Sequence, residues 1–292
     1  MNKELPEIPF KSSHPDVKDI EIITLEDLNA RKHQLDHFPN KAHQLKFYML
    51  VFYTQGETEQ LIDFVWHKVK KNTLLYLSKG QINAFRFDPG VKGYIILFTE
   101  RYFKEQLNKL PKNVIVRLFT PHLFTPLIQV PLASNVTSYF QFFHEEFYKK
   151  GGTFNKKNII DALFTILFSK LEQLKQYQTQ EIKESQLLQL FLKFQSLLKT
   201  DFTKSRNALF YAKEMHISYK HLNHICKESI GVTAKHYIDE FVILEAKRIL
   251  VNSSMKSTEV SFFLGFEEPT NFVKYFKKFT GLTPNSFKKM YK

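Results

Sequence analysis

The stretch GFEEPTNFVKYFKKFTGLTP, Gly265 to Pro284, decides how the C-terminal third of this chain is read. At 100° per residue from Thr270, the side chains of Asn271, Lys274, Lys277 and Lys278 fall with it inside about 120° of arc, while Phe272, Phe276 and Phe279 fall opposite. The pattern predicts a helix with an aromatic stripe for a core and a Thr, Asn and Lys face. Gly281 suits its C-terminus and Thr283 suits the N-cap of a following helix.

The same frame stands fifty residues upstream. Leu222 matches Phe272, Cys226 matches Phe276, Lys227 matches Lys277, Gly231 matches Gly281, Thr233 matches Thr283 and Tyr237 matches Phe287. Before each copy lies another short helical stretch, ALFYAKEMHI and STEVSFFLGF, with a small residue, Ala212 or Ser261, where two steeply crossing helices must approach. This predicts two helix-turn-helix units. A helical solenoid needs three or more copies to bury a continuous core, and only two exist.

In the first copy Lys220, Asn223, His224 and Lys227 share one side, and Leu222, Ile225 and Cys226 the other. One such polar face is ordinary solvent exposure. Two, both read as free of acids, suit duplex DNA, since Asn and Lys bond base edges and further lysines neutralise phosphates. Between the copies a helix is expected from about Thr233 to Val251; at 1.5 Å per residue it spans roughly 28 Å, near the roughly 34 Å of one DNA turn.

The composition agrees with an anionic partner: 292 residues carry a net charge of +13. Neither a secretory signal nor a membrane span is expected, because MNKELPEIPF mixes charges and prolines, and IIDALFTILF (Ile159–Phe168) is short and broken by Asp161 and Thr165. The single cysteine, Cys226, rules out an internal disulfide or a cysteine metal cluster, suits a reducing cytoplasm, and reads as a small core residue. A cytoplasmic location is expected. His216 and His221 lie five apart, which does not share a helix face, so turn and surface roles are preferred to a metal pair.

Upstream, FYMLVFYT, QLIDFVWHKV, TLLYLS, INAFRF and GYIILFT read as antiparallel strands separated by turn residues, a small sandwich or barrel. From about Ser134 the period becomes helical, with a stripe through Ile159, Leu163, Ile166 and Leu167. GGTFN separates two helices, and the polar residues near 175–185 read as a linker.

Residues about 190–290, above all YAKEMHISYKHLNHICKESIG, EAKRIL and LGFEEPTNFVKYFKKFTGLTP, resemble the AraC/XylS family of transcriptional regulators. The resemblance implies an α+β chain: a cupin-like β-barrel with following helices, then an all-α domain of two helix-turn-helix units joined by a long helix. The boundaries expected are 1–130 for the effector domain, 131–180 for a helical dimerisation region and 185–292 for the DNA-binding domain, with units about 207–229 and 257–280. Carried over by position, base-reading sites fall at Lys220, Asn223 and His224 in the first unit, and at Pro269, Thr270, Asn271 and Lys274 in the second. Lys227, Lys277, Lys278 and Thr283 are assigned to phosphate. Family members usually carry phenylalanine at Cys226, arginine at Val242 and alanine at Ser261; the first two departures weaken the expected packing and salt bridging of the first unit.

The implied function is a homodimeric, sequence-specific regulator on double-stranded promoter DNA that recruits or blocks RNA polymerase, with a small-molecule effector in the barrel or none. Tyr48, Phe52, Trp66 and Phe85 are the candidates for lining a pocket, although core packing is the commoner fate of such rings. Enzymatic cupins hold a metal with a close histidine pair, a carboxylate and a later histidine. Here GETEQ supplies no histidine, His67 stands alone, and His37 and His43 precede the first long strand, so no metal, no cofactor and no enzymatic activity are expected. The alternatives are a barrel enzyme tethered to DNA and a non-specific architectural DNA binder.

Overall fold

The computed structural model describes residues 5–14, 17–107, 109, 127–149, 155–176 and 186–291. The chain divides into two compact units, Pro6–Glu181 and a second from Ile182 to the C-terminus.

The first unit holds two five-stranded sheets. One runs β1 (Glu7–Ile8), β3 (His43–Leu45), β8 (Ile82–Phe85), β5 (Glu57–Ile62), β6 (Val65–Lys70). The other runs β10 (Leu127–Gln129), β7 (Thr73–Leu77), β4 (Tyr48–Gln55), β9 (Lys92–Phe98), β2 (Ile20–Thr24). All pairings are antiparallel except β1 with β3. QLIDFVWHKV is two strands rather than one. Asp63 and Phe64, at φ 45° and 72°, form a two-residue hairpin turn. No glycine marks it; the Asp63 carboxylate supports it instead, accepting from the Ile82 N–H at 3.2 Å and Gln81 Nε2 at 2.6 Å.

Strand alternation sorts the apolar residues into two layers. Met49, Val51 and Tyr53 of β4 point between the sheets with Leu75, Ile95, Ile62, Val69 and Phe85. Two short helices, α1 (Leu25–Ala30) and α2 (Glu100–Leu107), flank the strands, and Leu50 and Phe52 point the other way, against α3 (Val136–Tyr148) and α4 (Lys156–Gln176). Phe52 stacks on Phe140 at 4.9 Å, and full burial of each such ring contributes about 1.5–3 kcal/mol. The inward stripe of α4 is Ile160, Leu163, Phe164, Leu167, Phe168 and Leu171. The expected stripe is therefore corrected: Ile159 and Ile166 are 42% and 45% exposed. Apolar residues cover well over half of this helix's circumference between Ile159 and Phe168, and periodicity alone does not choose which of them are buried. Asp161, which interrupts it, is buried but met by the Tyr102 hydroxyl at 2.8 Å and Lys157 at 2.9 Å. No helix among the described residues is long and apolar enough to cross a membrane. GGTFN and the linker near 175–185 lie almost wholly outside the described residues.

The second unit is helical: α5 (Gln186–Asp201), α6 (Ala208–Glu214), α7 (Tyr219–Ile230), α8 (Ala234–Asn252), α9 (Ser257–Phe263), α10 (Pro269–Thr280) and α11 (Pro284–Tyr291). Phe191 and Phe194 of α5 pack edge-on and tilted against Tyr237 and Tyr211, and Gln195 donates to the Tyr237 hydroxyl at 2.9 Å. That aromatic cluster seats α5 on α6 and α8.

Candidate nucleic-acid interface

Helices α6 and α7 form one helix-turn-helix, α9 and α10 the other, and α8 joins them. Each helix begins on a side-chain or proline signal that the sequence carries. Asn207 accepts from the Leu209 N–H at 2.9 Å, Ser218 from the His221 N–H at 3.1 Å, Thr233 from the His236 N–H at 3.2 Å, and Thr283 from the Ser286 N–H at 3.2 Å. Pro269 opens α10, and Gly231 and Gly281 close α7 and α10 with φ 75° each.

The two turns follow one plan. In the first, the Ile217 N–H reaches back to the Ala212 carbonyl at 3.0 Å and the His216 N–H to Lys213 at 2.9 Å; in the second, Phe266 reaches Ser261 at 3.0 Å and Gly265 reaches Phe262 at 2.9 Å. Ala212 and Ser261 are both fully buried at these crossings, and the Ser261 hydroxyl is satisfied by the Thr258 carbonyl at 2.7 Å. His216 holds the left-handed conformation (φ 57°) that Gly265 (φ 74°) holds in the second copy. The second turn then runs one residue longer before its helix starts.

Leu222, Ile225 and Cys226 of α7 are buried, as are Phe272 and Phe276 of α10; Phe279 is half-buried beside Tyr275 at 5.0 Å. Burial pushes the Cys226 thiol up to about 12, which keeps it protonated and unreactive. Val242, where the family pattern carries arginine, is buried in the same core.

Opposite the core, Lys220, His224 and Lys227 are exposed on α7, and Thr270, Asn271, Lys274, Lys277 and Lys278 on α10; Pro269 is half-buried at the start of α10. Lys278 leans over the Phe279 ring at 5.5 Å. Two of the expected contact residues are held by intramolecular hydrogen bonds, and the expectation of acid-free faces needs correction. Asn223 is half-buried, and its Oδ1 accepts from the Ala234 N–H at 3.0 Å, which ties it to the start of α8. Thr283 has its hydroxyl occupied by Ser286, as a cap. Neither polar face is free of acids: Glu228 lies 3.9 Å from His224, and Glu268 accepts from the Thr270 hydroxyl at 3.2 Å.

In the first unit a cavity of about 390 Å³ opens between the sheets and the N-terminal segment. Ile23, Leu45, Phe47, Met49, Phe85 and Ile95 supply apolar walls; Glu21, Arg31, His37 and His43 supply polar ones. Arg31 lies 3.8 Å from Glu21, and its Nε is buried without a hydrogen-bond partner among the described residues. His43 is buried with Nδ1 2.9 Å from the Lys41 carbonyl, and desolvation lowers it to about 4. Of the four proposed lining aromatics only Phe85 reaches this cavity. Tyr48 stacks on Phe98 at 5.7 Å and Phe52 on Phe140, both on the helix side of their sheet, while Trp66 is exposed on an outer strand beneath Arg86. The polar residues of the cavity were missed because Arg31 and Glu21 come from a loop and an edge strand with no periodic signal. His37 and His43 stand with ring centroids 5.0 Å apart, and no three His, Cys, Asp or Glu side chains converge as a metal site among the described residues.

A helix-turn-helix domain family matches residues 211–290. Two curated relatives align with the same region: the HTH-type transcriptional regulator YisR of Bacillus subtilis, 29% identical over 26% of each chain, and the Msm operon regulatory protein of Streptococcus mutans, 30% identical over 27% of this chain and 28% of that one. The match thus spans about a quarter of the length of these relatives. Among solved structures, ToxT of Vibrio cholerae with unsaturated fatty acid bound aligns with 97% of this chain and 98% of its own, at 12% identity and a TM-score of 0.47. Residues 211–290 of the chain thus carry a helix-turn-helix domain.

Proposed function

We propose that this protein is a sequence-specific DNA-binding transcription regulator that lays α7 and α10 into successive major grooves of promoter DNA. The observation that carries the reading is the repeated unit: two capped helices, each clamped to a core by an apolar stripe, each presenting an exposed cationic and polar face. In this reading Lys220 and His224 on α7, and Pro269, Thr270, Asn271 and Lys274 on α10, face base edges. Lys227, Lys277 and Lys278 flank them and neutralise phosphates, with a net charge of +13 drawing the chain to DNA.

The first unit is proposed as the regulatory part. Its cavity has the size and the apolar lining with a few polar groups that suit a small organic effector. Phe142, Tyr148, Ile159 and Ile166 leave an apolar surface on α3 and α4, which supports a homodimer contact there, and RNA polymerase is the proposed partner at the promoter.

Lys274→Ala tests the core of this reading. On a site selected from random duplexes, the substitution should cost about 1–3 kcal/mol and relax one base preference. Equal losses on every sequence would move Lys274 to phosphate contact, and equal wild-type affinity for selected and random DNA at matched salt would leave an architectural binder.

A further inference from the structure

The two helix-turn-helix units touch each other without going through the length of α8. Arg206, immediately before the cap of α6, donates from Nη1 to the Leu264 carbonyl at 2.7 Å and lays its guanidinium 3.6 Å from the centre of the Phe266 ring. Both partners belong to the turn of the second unit. Between them, Gly265 has no space for a side chain: a Cβ there would stand 2.2 Å from the Thr203 carbonyl oxygen.

A second contact lies deeper. Tyr275, on the inward flank of α10, donates its hydroxyl to Asp239 Oδ1 at 2.7 Å on the first half of α8. Lys235 Nζ reaches the same oxygen at 2.5 Å and the Arg206 carbonyl at 3.2 Å, while the Phe266 and Tyr275 rings lie 5.4 Å apart. The contacts close a ring: Arg206, Phe266, Tyr275, Asp239, Lys235 and back to Arg206. Asp239 is buried, so its carboxylate depends on these donors. Desolvation raises the Tyr275 hydroxyl, which keeps it a donor throughout the physiological range.

The ring ties α10 to the segment that leads into the first helix-turn-helix. A helix alone leaves the second helix-turn-helix free to swivel about the residues that follow it; side chains locked across the two helix-turn-helix motifs do not. On DNA, a half-site moved by one base pair shifts about 3.4 Å along the axis and roughly 36° around it. A locked pair of recognition helices cannot follow both displacements without breaking the ring.

We propose that this ring fixes the half-site spacing the protein accepts, making Arg206, Asp239 and Tyr275 positioning residues for DNA specificity. The inference rests on the DNA-binding reading above. Tyr275→Phe removes one hydroxyl and keeps the packed ring; Asp239→Asn keeps the shape and removes the charge.

The test uses the full chain. Wild type selects sites from a pool of random duplexes, and fluorescence anisotropy then compares the recovered site with versions carrying one base pair inserted or deleted between half-sites, and with each half-site alone. Wild type should lose at least thirtyfold on the altered spacings. Tyr275→Phe should lose less than fivefold on them while binding the single half-sites within threefold of wild type. Spacing discrimination unchanged in Tyr275→Phe, or absent in wild type, overturns the proposal. A wild-type pool with no enriched sequence overturns instead the DNA-binding reading. If Asp239→Asn fails to fold by circular dichroism, Arg206→Lys, which loses the stacked guanidinium, supplies the second variant and is held to the same outcomes.

Discussion

Asn223 carries a structural role at a position where the sequence pattern also suggests another. It sits on the polar side of α7, where the family pattern places a base reader, but its side-chain oxygen accepts the first N–H of α8. Asn223→Ala should therefore lower stability by about 1 kcal/mol, seen as a lower midpoint in urea, and weaken binding to all DNA alike instead of changing base preference. His43 makes a second case. Its folded value near 4 is below the ordinary 6.5, so protonation favours the unfolded chain. Its contribution is complete above about pH 6.5 and is lost as pH falls towards 4, about 3 kcal/mol in all. Thermal unfolding of the first unit at pH 7.5, 6 and 5 should show this loss, and His43→Asn should flatten it.

At the scale of the element, the helix signals in the sequence were mostly local and therefore legible. Thr233 and Thr283 cap the helices that follow them, Gly231 and Gly281 close the recognition helices, and Phe272 and Phe276 face the core, because each depends on neighbours three or four residues away. What depended on distant partners was not legible. The split of QLIDFVWHKV rests on Asp63 reaching the Ile82 N–H across the sheet, and the buried side of α4 is chosen by the sheet it meets. The pocket aromatics failed for a related reason: Tyr48 and Phe52 sit on a strand buried on both faces, where alternation separates the faces without saying which one is hollow. The two turns invite a paired experiment. Gly265→Ala meets both a left-handed φ and the Thr203 carbonyl, and should cost more than about 2 kcal/mol; His216→Gly relieves a left-handed non-glycine residue and should gain about 0.5–1 kcal/mol. Chemical denaturation of the full chain measures both.

For the whole molecule, charge governs how binding responds to conditions. If Lys277 and Lys278 hold phosphates, the logarithm of the binding constant should fall linearly with the logarithm of salt, and Lys277→Ala should reduce that slope by about 1 on selected and random DNA equally. A Lys274→Ala change that leaves the slope intact but alters base preference would separate the two kinds of lysine on one helix.

The Arg206 contact also bears on where this domain begins. The family match starts at residue 211, five residues after the arginine that grips the second turn, and beyond the α5 aromatics that seat on Tyr211 and Tyr237. A fragment trimmed to the matched residues would keep both recognition helices and lose the Arg206 side of the clasp between them. A fragment that begins with α5, at Gln186, keeps both the arginine and those aromatics, and is the one to use in testing the proposed DNA recognition.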